Sequence, residues 1–334
     1  MKNIILSLAL VLPLVLSAQY SSHFLQRFTE SGKTGWRFST ATAANYGDIG
    51  SEAVDLSYSN NSSTTRGAKG DYSVAMGYNT TASGYASTAM GGYTKASGYG
   101  STAMGSYPTA SGDYSTAMGS FTTASGLIST AMGSRATASD YASLSIGSYN
   151  SVNSSVTGSA TAFNTANAAF VIGNGTASNA KSDAFVVYFN GNATLAGDLT
   201  INSDERLKDN IQPLGSTLNK LHQIEAKTYS LKKDEEHTPK IGVLAQEVQA
   251  VFPELVTEGA DGILSVNYQG LVPVLINAIN EQELKMSEQD AKIAALEAQN
   301  EQLAIASQKI AALEEMVRFL AVQQSQATSS VAAN

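Results

Sequence analysis

Between Gly70 and Asn153 the hydrophobic and polar positions return to the same order every fourteen residues. The units read GDYSVAMGYNTTAS, GYASTAMGGYTKAS, GYGSTAMGSYPTAS, GDYSTAMGSFTTAS, GLISTAMGSRATAS and DYASLSIGSYNSVN. Met76, Met90, Met104, Met118 and Met132 hold one phase, with Ile146 in the sixth place, and a glycine follows each of them. Fourteen residues are too few for a helix-turn-helix unit. At about 3.3 Å per residue they make two short strands and two turns, one coil of a β-solenoid. Alternation within Ser-Thr-Ala-Met-Gly-Ser points Thr and Met one way and Ala the other, so two faces can be buried. Glycine after Met permits a tight corner or positive φ, and Ala-Ser-Gly marks a second corner. A single coil cannot bury its apolar face, whereas coils stacked at about 4.8 Å can.

The strict phase of Met and Ala separates this region from a flexible Gly/Ser/Thr linker, which has no need of phase. No Thr-x-Thr ladder persists from coil to coil, which argues against an ice-binding surface. Most glycine turns lack Asp, which argues against a calcium-binding roll. The pattern is degenerate before Gly70 and loosens after Asn153. Residues 184–202 alternate again and carry Asn190-Gly191, which predicts a hairpin or β-stem closing the solenoid.

From Ser203 the chain is densely charged and reads as a small mixed domain to about 275. A helix capped by Ser216, a strand near Lys227–Leu231, and a strand and helix over 240–252 are predicted. A further strand then leads into a long helix ending near Gln323. Ile279, Met286, Ile293 and Asn300 fit heptad position a, and Leu275, Gln282, Gln289, Leu296 and Leu303 fit d. Ile310, Leu313, Val317 and Leu320 resume the pattern after a three-residue slip, and an oligomeric coiled coil is expected over 276–324. The last residues, 325–334, read as a disordered polar tail.

Composition narrows the function. The chain has 334 residues and a net charge of −8, without the basic footprint that a general nucleic-acid binder needs. It has no cysteine, so disulfides, thiol nucleophiles and thiolate metal sites are excluded. His23, His222 and His237 are scattered, and neither a metal nor a cofactor is assigned. Residues 1–18 carry one Lys, a short apolar run and small residues at Ser17 and Ala18, the pattern of a secretory signal cleaved after Ala18. No later stretch is apolar enough to span a membrane as a helix, so export to the medium or the cell surface is expected.

The repeat SxAMGxxxxASGxxS over about 70–182 resembles the head repeats of trimeric autotransporter adhesins. That likeness implies three chains, each wound as a left-handed parallel β-roll. The motifs SDERLKDNI, GVLAQEVQAVFPELV and SVNYQGLVPVLINAINEQ, over about 203–324, resemble the intramolecular chaperone domain of endosialidase tailspikes and other phage fibres. Members of that family trimerise, promote assembly of the preceding fibre, and often cut themselves off. By this resemblance the scissile bond joins Asn202 to Ser203, and the catalytic pair is Ser203 and Lys208.

The residue types suit that chemistry. A serine hydroxyl is a weak nucleophile until a neutral amine takes its proton, and a lysine serves only where burial or nearby cations lower its pKa. The five-residue spacing does not itself join the pair: on a helix Lys208 is about 140° round from Ser203, and on a strand it faces the other side. A bend, or a lysine from a neighbouring chain, is required. Asp204, Glu205 and Arg206 are candidates for ion pairs that order the turn. Asp204, Arg206, Gln246 and Glu247 are possible supporting residues. Phe252, Pro253, Glu254 and Tyr268 match the family's motif, with core packing and helix termination as their expected work.

The expected architecture is therefore mixed. It comprises an N-terminal cap with degenerate repeats (19–69), an all-β left-handed roll (70–182), a β-stem (183–202), an α+β chaperone domain (203–275) and a trimeric coiled coil. The expected function is an exported homotrimeric fibre or adhesin-like protein with a self-cleaving C-terminus. Its rivals are a non-cleaving adhesin with a trimerisation module, a phage-derived fibre, and a glycan-processing enzyme. The last is disfavoured because the head offers no convincing carboxylate pair.

Overall fold

The computed structural model describes residues 24–331 apart from 233 and 235, with side chains as far as 325. The expected signal segment, 1–18, and His23 lie outside the described residues. The chain divides into two units, one ending at Asn202 and the other beginning at Ser203.

The first unit is the β-solenoid that the repeat predicts. Each coil contributes a five-residue strand such as Thr102–Ser106 and a two-residue strand such as Thr109–Ala110. Both kinds pair in parallel with their counterparts one repeat away: Met118 lies opposite Met104 and Met132, and Thr109 opposite Lys95 and Thr123. The long strands bring Ala75, Ala89, Ala103, Ala117 and Ala131 to the interior, and the short strands bring Ala82, Ala96, Ala110, Ala124 and Ala138; all are 0% exposed. Between the two strand layers these methyl groups form a continuous buried column. Within one chain only the alanine face is buried, and Met76 and Met132 on the other face remain 37% and 38% exposed.

Glycine holds both corners for steric reasons. Gly105 sits at φ +125°, and a Cβ there would come within 2.1 Å of the Gly119 carbonyl oxygen. At the second corner a Cβ on Gly98 would meet the Gly112 carbonyl at 2.0 Å. Between the strands, Tyr93, Tyr107 and Phe121 also adopt positive φ, at 55°, 59° and 53°. That conformation costs a non-glycine residue about 1–2 kcal/mol. Their rings stack at 4.5 and 4.7 Å between centroids, an interaction of about 0.5–1.5 kcal/mol that offsets much of the cost.

The ends of the roll are closed differently. At the start, an antiparallel hairpin of Leu25–Glu30 and Lys33–Phe38 leads into the strand Val54–Tyr58. Asp55 occupies the alanine column opposite Ala75 and is 0% exposed. Arg37, itself buried, reaches Asp55 at 3.1 Å, Glu30 at 3.0 Å and the Gly47 carbonyl at 3.1 Å. An ion pair thus seals a column of methyl groups. At the other end Asp140 replaces the corner glycine and accepts hydrogen bonds from Thr157 and the Ala168 amide. It anchors the excursion over 151–167. The strand Ala168–Asn174 then stacks on Leu144–Ser148 as a further coil, and the antiparallel strands Asp183–Tyr188 and Ala193–Leu195 follow. Gly191, at φ +89°, makes the turn that Asn-Gly predicts.

The second unit is a small α+β assembly followed by a long helix. Lys227–Tyr229 pairs with Lys240–Gly242, and Val256–Glu258 with Leu264–Val266, both antiparallel. The helix Ala245–Val251 packs Val248 and Phe252 against Val274 near the start of the long helix Leu271–Val331. The helix expected after Ser216 shrinks to Leu218–Leu221, and Ser216 is not its side-chain cap. Ser216 instead donates to Glu281 at 2.8 Å, and the Glu281 carboxylate also takes the Thr217 amide at 2.6 Å. A carboxylate 64 residues away thus satisfies the helix start, a contact invisible to local pattern. The long helix continues past Gln323 because residues 324–331 contain no Gly or Pro to stop it. From Ile279 to Val322 its apolar residues are exposed, among them Met286, Ile293, Leu296, Leu303, Ile310 and Leu313.

Candidate functional site

Ser203 and Lys208 are brought together. The Lys208 Nζ donates to the Ser203 Oγ at 2.7 Å. A 3-10 turn over Glu205–Leu207 supplies the bend that neither a helix nor a strand provides at this spacing. Asp204 starts the turn: its carboxylate accepts the Arg206 amide at 2.9 Å and grips the Arg206 guanidinium at 3.0 and 2.7 Å. The Lys208 amide closes the turn on the Glu205 carbonyl at 3.0 Å. Asp204 and Arg206 therefore form the ordering ion pair that their charges suggested. The Arg206 side chain holds the Asp204 carboxyl below its usual range, aided by the Arg206 amide. The whole turn is exposed in the single chain.

The remaining motif residues divide in two. Phe252, 1% exposed, is core, with the Lys220 ammonium 5.2 Å from its ring centroid. Pro253 begins a 3-10 turn after the helix Ala245–Val251, as chain termination predicts. The Tyr268 hydroxyl accepts the Val243 amide at 3.2 Å. A Cβ on Gly242 would meet that hydroxyl at 2.7 Å, so a larger residue there would displace the tyrosine.

Glu247 is engaged with Glu225 and Lys227 rather than with the serine. It accepts the Glu225 amide at 3.0 Å and pairs with Lys227 at 3.1 Å. Those contacts, the amide first, lower its pKa, while Glu225 and then Glu247 raise that of Lys227. Gln246 lies exposed on the same helix.

Sequence reasoning missed Glu281. The Thr217 amide and then the Ser216 hydroxyl hold its carboxyl below the usual glutamate range. Asn277 donates to it at 2.8 Å from one helical turn away, the only local signal of its role. Among the described residues, no group of three or more His, Asp or Glu side chains is placed to hold a metal ion. No helix among them is long and apolar enough to cross a membrane.

With this geometry in hand, two stretches match known families. Residues 203–257 match the family described as chaperone of endosialidase. Overlapping matches to the YadA head domain repeat span 68–150. Long tail fiber protein Gp37 of Escherichia phage AR1 is 37% identical over 109 residues, covering 30% of this chain and 9% of that protein. Its counterpart from Salmonella phage S16 is 33% identical over 99 residues, covering 27% of this chain and 13% of that protein. The chain thus spans only about a tenth of the length of these curated relatives.

Proposed function

We propose that this chain is an exported, fibre- or adhesin-like homotrimer whose C-terminal domain directs assembly and then cuts the Asn202–Ser203 bond. In this reading residues 203–275 form the chaperone and protease, and 276–324 form a three-stranded coiled coil. The observation that carries it is the Lys208 Nζ lying 2.7 Å from the Ser203 Oγ. Support comes from the family match that begins at Ser203 and from a unit boundary at the same residue.

The chemistry balances without a cofactor. The Ser203 Oγ attacks the Asn202 carbonyl carbon while a neutral Lys208 amine takes the hydroxyl proton. The C–N bond breaks, and that proton passes to the nitrogen, which becomes the free amine of Ser203. Water then opens the resulting ester, freeing the Asn202 carboxyl and restoring the hydroxyl. A lysine can act as this base where burial or nearby cations favour its neutral form, and packing three chains around the turn would supply the burial. Assembly then precedes cutting.

The order has a physical rationale. Parallel coils rest on non-local contacts, and identical coils can stack out of register. A trimerising C-terminus raises the effective concentration of the chains and aligns them. Removing it afterwards makes assembly kinetically hard to reverse.

The test is the denatured mass of expressed residues 19–334 beside a Ser203→Ala variant. Fragments 19–202 and 203–334 from the parent with an intact variant are expected. Intact chains from both would leave a trimerisation module without protease activity. A phage-derived fibre is the second reading, favoured by the tail-fibre relatives. An uncleaved N-terminus on protein from its native host would select it over export.

A further inference from the structure

A cavity of about 380 Å³ opens at the first coil of the roll, lined mainly by Phe38, Thr42, Asn45, Tyr46, Tyr58 and Asn60. We propose that it is a binding site for a neutral saccharide. The inference rests on this cavity alone and not on self-cleavage.

The volume falls in the range of small-ligand sites, about 300–1,000 Å³. None of the residues lining it is Asp, Glu, Lys, Arg or His. The nearby Arg37 and Asp55 are buried and committed to each other. A charged ligand would find no counter-charge, which excludes acidic sugars and phosphates as preferred occupants. An entirely apolar ligand would leave the amide and hydroxyl groups of the wall without partners, at a cost. A sugar ring answers both conditions, with C–H faces for the aromatic rings and hydroxyls for the polar groups.

The wall is also fixed in advance. The Tyr46 hydroxyl donates to the Ser57 carbonyl and accepts the Ser59 amide, each at 3.0 Å. Asn45 Nδ2 donates to the Ser59 carbonyl at 2.8 Å, leaving its side-chain oxygen as an acceptor for a ligand. Asn60 Oδ1 accepts the Tyr78 hydroxyl at 3.0 Å, leaving its Nδ2 as a donor. The exposed Tyr58 ring stacks on Tyr78 with centroids 6.2 Å apart. Groups ordered before binding lose little entropy when a ligand arrives, which favours a site of this size.

The experiment uses the full chain carrying Ser203→Ala, so that cleavage does not affect it. Saturation-transfer NMR would be recorded with the methyl glycosides of glucose, galactose, mannose and N-acetylglucosamine, and with N-acetylneuraminic acid for comparison. At least one neutral glycoside is expected to bind. Tyr58→Ala and Asn60→Ala should each weaken it about tenfold, with the β-sheet circular dichroism of the roll retained at the assay temperature. Tyr107→Ala, on the ring ladder away from the cavity, should leave it unaltered. Absence of binding by every neutral glycoside, binding of the acidic sugar alone, or binding that survives both cavity variants would overturn the proposal.

Discussion

The roll and the long helix place their apolar residues in opposite ways. In the roll, small side chains meet others of their own chain: the alanine columns are fully buried and every coil pairs with its neighbours. In the helix, Val274 and Ala278 are buried near its start, but the apolar residues from Ile279 to Val322 are left exposed. The roll buries its inner face by repetition along one chain. The helix has large apolar side chains that nothing among the described residues covers, the expected state of one strand taken from a coiled coil. In the proposed reading this contrast is a division of labour, with length built within a chain and alignment built between chains.

The sharpest break of that comparison is a methyl group in the roll. Gly105→Ala places a Cβ against the Gly119 carbonyl in a backbone conformation that suits glycine. It should cost about 3 kcal/mol or more, read as a fall in the roll's melting temperature. Replacing a surface alanine of the long helix, such as Ala298, with glycine should cost only about 1 kcal/mol.

Of comparable size is the polar seal of the roll. Arg37→Ala leaves Asp55 buried without its partner and should cost about 3–5 kcal/mol in thermal or denaturant unfolding. Adding Asp55→Ala, which restores the residue found one coil later at Ala75, should recover much of that loss. A double variant no better than the single would show that the pair does not act as a unit.

The smallest effect belongs to Glu281. Its carboxyl has a lowered pKa in the fold, so its stabilising contribution is present above the usual glutamate pKa. That contribution is lost as pH falls through the lowered value. Acid titration of the 203–334 unit should therefore show a loss of stability that Glu281→Gln lacks.

What could be read in advance follows from range. The roll was legible because a fourteen-residue period states both strand and register, and because Gly105 and its equivalents answer to sterics one coil away. Ser203 and Lys208 could be named only by resemblance, since their spacing fits no regular element. The Asp204–Arg206 turn that joins them is a local feature whose opposite charges lie two residues apart. The seal of Arg37 by Asp55 and the hold of Glu281 on Thr217 stayed hidden because each joins distant segments without a periodic signature. The cavity beside Tyr58 was hidden for the same reason: its walls come from separate segments of the chain.

The claim that the C-terminal region aligns three chains is tested most directly by sedimentation equilibrium. The uncleaved Ser203→Ala chain would be measured beside the same chain carrying Ile293→Asp and Leu296→Asp on the exposed helix. Three times the chain mass for the first, falling toward a single chain in the second, is the predicted result. A single-chain mass for both, or a trimer that ignores the two aspartates, would contradict it.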